Sequence, residues 1–244
     1  MNKSLEILIK CINQNEDLND NGGRSPHAYH NVIDKELLSK IADEKNTKDE
    51  LFELIKQDKE STPGICLKIL SWGAMHSASL KTVFEDYKQA AWLKLAHKIR
   101  CGQYNRQDAY EEFAELRRNR LLVGMGPAYF TKLIFFLMPG NSNQPRGYIM
   151  DQWVASSVNL LAGQNIVLLD ANYSWNKDVK LQNSFYVSDF NKSADYEKFC
   201  LQVEQIAYDI GKTPIDTERV LMSQGGRHKY AWRQYVLENR KVYP

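Results

Sequence analysis

The sequence predicts an all-α fold with a small β excursion near residues 164–190. Three observations carry that expectation. Apolar residues recur at helical spacing through most of the chain, several of the runs opened by a capping residue and closed by glycine. Two such runs meet across the short connection Val123-Gly124-Met125-Gly126, which reads as a helix-hairpin-helix. Residues that favour strands are confined to two short runs, 166–169 and 185–187, flanking the polar stretch 170–184.

A chain of 244 residues can bury a substantial core, as one large domain or as two closely packed lobes. It contains no run of eighteen apolar residues and no signal-peptide pattern at its start, which predicts a cytoplasmic, intracellular protein with no membrane partner. Cys11, Cys66, Cys101 and Cys200 lie far apart without a C-x-x-C pair, so they are expected to be reduced and buried. His27 and His30 have a metal-like i, i+3 spacing but no partner cluster, and no metal or cofactor is expected. Net charge is +2, low for a nucleic-acid binder, yet uneven: residues 1–60 carry nine Lys+Arg against 13 Asp+Glu, leaving +6 for the remainder. The positive field therefore lies with the hairpin.

The amino-terminal region reads as short helices. Leu5, Leu8, Ile9 and Ile12 form one apolar stripe, and Leu37, Leu38, Ile41 and Ala42 another, separated by a polar loop at 13–31. Thr47-Lys48-Asp49-Glu50 is a capping box ahead of Leu51, Phe52, Leu54 and Ile55. Thr62-Pro63 opens the next helix, which runs into Trp72-Gly73-Ala74-Met75-His76. Gly73 and Ala74 leave space there, for a flat ring in a slot lined by Trp72 and Met75 or for close helix packing. One longer helix is expected over 81–100, stopped by Gly102, and Asn105 caps another that places Arg117, Arg118 and Arg120 near the hairpin. Those arginines suit either a helix C-terminus or a phosphate site.

The hairpin expects positive φ at Gly124 and Gly126, with Pro127 preset for a first helical position. The second helix, 128–138, is apolar on every side except at Thr131 and Lys132, which predicts burial all round and requires a reason for the lysine. A polar loop at 140–147 leads to Tyr148-Ile149-Met150, and then Asp151 stands before a helix over 152–161. The partial positive charge of a helix start suits a carboxylate there. Further on, Ser193 starts an amphipathic helix ended by Gly211, Thr213-Pro214 starts another, and the tail 225–233 reads as a solvated terminus or a second DNA-facing loop.

From Trp92 to Leu161 the sequence resembles the helix-hairpin-helix DNA glycosylases, and within them the 8-oxoguanine DNA glycosylase-like branch. Their signature is a Gly-x-Gly hairpin, here Gly124-Met125-Gly126, followed one helix and one loop later by a helix-capping catalytic aspartate, here Asp151. The resemblance implies a two-lobed fold acting as one unit over 1–244, with 63–141 as the hairpin lobe and 1–62 with 142–244 as the second. It implies a monomer that needs no protein partner and acts on double-stranded DNA, turning out a damaged base, 8-oxoguanine-like, and cleaving its N-glycosidic bond. Backbone at Gly124, Met125, Gly126 and Ala128, with Arg120, would grip the phosphates. Trp72, Met75 and Trp153 would line the base pocket. Some relatives carry a four-cysteine iron-sulfur cluster after the aspartate; only Cys200 follows Asp151, so none is expected.

Relatives that also cut the strand place a Schiff-base lysine two residues after the second hairpin glycine, where this chain has Ala128. Lys132 lies one helical turn further on the same face. Two roles are open to it: a nucleophile with lyase activity, or a structural charge balanced by a carboxylate such as Asp151. Two other functions fit the same residues. One is excision of hypermodified bases from phage DNA, an antiviral task; the other is a non-catalytic DNA-binding module, which the low net charge favours and the Asp–Lys pair disfavours.

Overall fold

The computed structural model describes residues 3–13, 23–139, 144–175, 181–222 and 230–240, with backbone alone for 172–175 and 181–183. In chain order the elements are α1 Lys3–Asn13, a 3-10 turn Pro26–Tyr29, α2 Lys35–Leu38, α3 Lys48–Gln57, α4 Thr62–Trp72, α5 Ser77–Phe84, α6 Ala91–Arg100, α7 Arg106–Arg118, α8 Pro127–Leu137, α9 Gln152–Ala162, β1 Leu169–Trp175, β2 Leu181–Val187, α10 Ser193–Ile210, α11 Pro214–Met222 and α12 Ala231–Asn239. The fold is thus all-α with one antiparallel pair, registered from Leu169 opposite Val187 to Trp175 opposite Leu181. Among the described residues no helix is long and apolar enough to cross a membrane.

Internal packing divides the chain into a hairpin unit, 20–149, and a terminal unit, 1–19 with 150–244. Residues 20–62, expected with the ends, pack instead with the hairpin unit, because α3 lies on both α4 and α8 and α2 lies on α4. Apolar side chains at Leu51 and Phe52 meet that core: Phe52 stands 5.3 Å from the Phe135 ring and 5.0 Å from that of Phe136.

In the hairpin unit α8 is the centre. Its run from Phe130 to Leu137 is buried on all sides, and α3, α4, α6 and α7 pack around it. The helix expected over 81–100 is two helices. Trp92 Nε1 donates to Val83 O at 3.1 Å and its ring meets Phe84 edge-on, so the indole satisfies a carbonyl in the last turn of α5 that helix continuation would have used. Charges buried in this unit are also accounted for: Lys68 Nζ lies 3.2 Å from Glu44 and 3.4 Å from Glu60, and Lys48 Nζ sits 4.6 Å over the Phe135 ring.

In the terminal unit the centre is α9, against which α1, α10, α11, α12 and both strands pack. Two of its buried polar residues, Ser157 and Asn159, are spent on neighbours. Ser157 Oγ donates to Leu221 O and accepts from Trp232 Nε1, while Asn159 takes the N–H groups of Ile166 and Val167 and donates to Val167 O. That last set turns the chain from α9 into β1. The strands form the small β excursion expected near 164–190 and extend into the polar stretch between its two strand-prone runs; residues 176–180 lie outside the described ones.

Two smaller expectations change. Cys101 is exposed, at the C-cap of α6, whereas Cys11, Cys66 and Cys200 are buried, and burial pushes the Cys66 thiol far up. Of the tail 225–233, residues 225–229 lie outside the described ones, but Trp232 and Arg233 belong to α12 and are buried. His27 is spent on Ile41 O and His30 on His27 O.

Candidate active site

The hairpin is built by an unusual helix ending. α7 stops at Arg118, short of the ending at Leu121-Leu122 that its sequence predicts, and Arg120 takes φ +59°, a left-handed conformation normally left to glycine. Leu121 N then closes back on Leu116 O at 2.8 Å. Gly124 has the expected positive φ, +85°, and lies against Ser79 and Val83, whereas Gly126 is extended, φ −85°, and stands at the N-cap of α8 without a side-chain cap. Arg117 holds the reversal from inside, donating to Met125 O at 2.8 Å and Leu122 O at 3.4 Å. Arg118 pairs with Glu111 at 2.6 Å. Arg120 is exposed, Gly124 is exposed, Gly126 and Ala128 are half-buried, and Met125 is fully buried. The exposed apolar side chains at the tip are Leu121 and Val123, neither of which was expected in the interface.

Lys132 is 4 % exposed and lies on the central helix of the hairpin unit. Its side chain runs back along α8, as helical side chains do, and Nζ donates to Ala128 O at 2.6 Å, 5.0 Å from the Tyr129 ring centroid. Nζ therefore stands at the level of residue 128 although its Cα is one turn away. Space expected beside Gly73 is filled from within the unit by the Lys132 stem. Trp72 packs edge-on against Phe136 at 5.1 Å, and Met75 is fully buried with its carbonyl accepting from Tyr29.

Asp151 is the N-cap of α9 in the terminal unit and is 7 % exposed. Oδ1 accepts from Trp153 N at 2.8 Å and Val154 N at 3.0 Å. Both cap bonds end on one oxygen, which leaves Oδ2 uncommitted to the cap. Sequence patterns missed its surroundings. Arg233, from α12, stacks 3.8 Å over the Trp153 ring, and Arg240 lies 5.1 Å from the same ring and 4.3 Å from that of Phe185. Burial holds the Arg233 guanidinium below the usual arginine range, and the charge of Asp151 opposes that shift. The mixture of bases and aromatics in the tail was the signal, but its helical period is too short to read.

Gly124, Gly126, Ala128, Arg120, Lys132, Trp72 and Met75 belong to the hairpin unit; Asp151 and Trp153 belong to the terminal unit. Chemically, the first offers uncapped backbone N–H groups and an amine, the second a fixed carboxylate. Among the described residues no group of three or more His, Cys, Asp or Glu could hold a metal ion. No curated protein and no solved structure matches the chain. A family model does, over residues 23–222, which include the hairpin, Lys132 and Asp151. The chain belongs to the family described as "Putative 8-oxoguanine DNA glycosylase OGG-like protein".

Proposed function

We propose that the protein is a DNA N-glycosylase that excises a damaged or modified base of the 8-oxoguanine type from double-stranded DNA. The observation that carries this reading is the state of Asp151: a nearly buried carboxylate at the start of a central helix, with one oxygen in the cap and the other outside it. As the C1′–N bond breaks, positive charge builds on the deoxyribose, and a fixed, desolvated carboxylate stabilises that charge more in the transition state than in the ground state. The bonding pair leaves with the base, which takes up a proton.

A base stacked in a duplex cannot reach such a group, so the nucleotide must first be turned out while its strand is held. Backbone N–H groups at the start of α8, where no side chain caps the helix, suit a phosphate and read no sequence. Lys132 supplies the nucleophile in this reading. The lone pair of its neutral amine forms a bond to C1′ as the base departs; after loss of a proton and opening of the sugar ring the product is an imine, from which elimination can cut the strand. Support comes from the position of Nζ, which the side chain carries back one turn towards the hairpin, to the Ala128 carbonyl.

Single-turnover excision on duplexes carrying 8-oxoguanine and a panel of hypermodified bases tests the activity. Asp151→Asn is expected to abolish excision while DNA binding, read by fluorescence anisotropy, stays within about threefold, since phosphate contacts lie elsewhere. Excision at the wild-type rate would reduce Asp151 to a cap. Borohydride trapping on an excised substrate is expected to give a covalent adduct that Lys132→Gln removes; an equal yield from the variant would sink the nucleophile.

A further inference from the structure

We infer that Gly73 is a positioning residue for Lys132: its missing side chain is the seat in which the lysine stem lies, and so it sets where the amine is presented. The consequence for catalysis rests on the reading of Lys132 as nucleophile, whereas the seat itself rests on packing within the hairpin unit.

Backbone conformation does not explain glycine at position 73. As the C-cap of α4 it has φ −70° and ψ 2°, values any residue adopts. The next residue, Ala74, has φ +52°, the left-handed region in which glycine is at ease and alanine is not. If backbone conformation governed the choice, the two residues would be exchanged.

Space does explain it. A Cβ at Gly73 would lie 2.8 Å from Lys132 Cδ and 2.9 Å from Cε, closer than carbon atoms tolerate, and its next neighbour would be Ile69 O at an ordinary 3.5 Å. Among the described residues, the atoms that forbid a side chain here are therefore the two methylenes that lead to the amine. They belong to the flexible end of a side chain, so an added methyl displaces Lys132 and leaves the helices in place. The amine is held at both ends of its reach, by the C-terminus of α4 beneath the stem and by Ala128 O and the Tyr129 ring at the head. A stem confined by sterics, with its head on Ala128 O, restricts Nζ to a short arc, which is the pre-organisation an attacking amine requires.

The test uses the full chain in three variants: Gly73→Ala, Ala74→Gly, and the exchange Gly73→Ala with Ala74→Gly, in which the relieved strain at 74 protects the fold. Four quantities are read: thermal midpoint, DNA affinity, the borohydride-trapping rate on an excised substrate, and the 13Cε resonance of Lys132 in lysine-labelled protein, assigned by its loss in Lys132→Arg. In Gly73→Ala and in the exchange variant, trapping is expected to slow about tenfold to a hundredfold. The Lys132 resonance is expected to move in both, while the thermal midpoint and DNA affinity hold. Ala74→Gly should trap like wild type. An exchange variant that is folded, traps at the wild-type rate and leaves the resonance unmoved would overturn the proposal. If wild type excises base but gives no adduct, the nucleophile reading fails, and the resonance alone decides the seat: moved in the exchange variant upholds it, unmoved overturns it.

Discussion

Asp151 has two tasks that fall on different parts of one carboxylate. Oδ1 satisfies two orphan N–H groups of α9, and the charge with its second oxygen is what the proposed chemistry uses. Substitutions can therefore separate them. An asparagine keeps a carbonyl oxygen for the cap, so Asp151→Asn should retain stability while losing excision; alanine removes the cap too and should cost about 1 kcal/mol more in urea unfolding. Equal stability of the two variants would mean that the cap bonds contribute nothing. The cap was legible in the sequence because a short polar residue before an apolar run at helical spacing has few other uses. The arginines above Trp153 were not, because they arrive from more than seventy residues away.

At the scale of elements, the hairpin separates its two glycines. Gly124 needs its conformation: φ is +85°, and a Cβ would also stand 3.2 Å from Ser79 O. Gly126 does not, since its extended backbone accepts any residue, and that makes it the cleaner probe of the interface. Gly126→Val should leave the circular dichroism spectrum and thermal midpoint unchanged. It should weaken binding to DNA of any sequence and flatten its dependence on salt, because a branched side chain at the start of α8 keeps a phosphate away and fewer counterions are released. Unchanged affinity and slope would remove this helix start from the interface. Sequence pattern predicted that the chain reverses here, since Gly-x-Gly-Pro permits little else. It misjudged which residues turn left-handed: Arg120 does so and Gly126 does not, because Leu116 O accepts the N–H of both Leu121 and Leu122 and draws the chain round at Arg120.

At the scale of the molecule, each unit is organised round one buried helix, α8 or α9, and each carries one of the two candidate catalytic groups. The stability of the hairpin unit should respond to acid through Glu36, whose carboxylate meets Lys40, just past the end of α2, and Lys88 in the α5–α6 connection, each at 2.8 Å. Hydrogen bonds from those two lysines bring its pKa down from 4.5 to about 2. A carboxyl depressed on folding contributes stability that is fully present above its unfolded value and is lost as pH falls through the folded one. The urea midpoint of wild type should therefore exceed that of Glu36→Gln at neutral pH, and the difference should shrink as pH falls from about 4.5 towards 2. Because all three side chains are exposed, added salt should reduce it as well. A difference independent of pH would assign the effect to something other than this ion pair.

The sequence by itself determined the helical class, most helix starts, the reversal at Gly124 and the aspartate at the head of α9. Those features follow from residues within a few positions of one another, whose periodicity and capping chemistry act locally. Tertiary structure alone decided the rest. It broke the helix expected over 81–100, because the Trp92 indole takes the Val83 carbonyl; it joined residues 20–62 to the hairpin unit, because Phe52 finds Phe135 and Phe136; and it laid the Lys132 stem over Gly73. Each of these depends on which volume a distant side chain fills, and no local pattern records that.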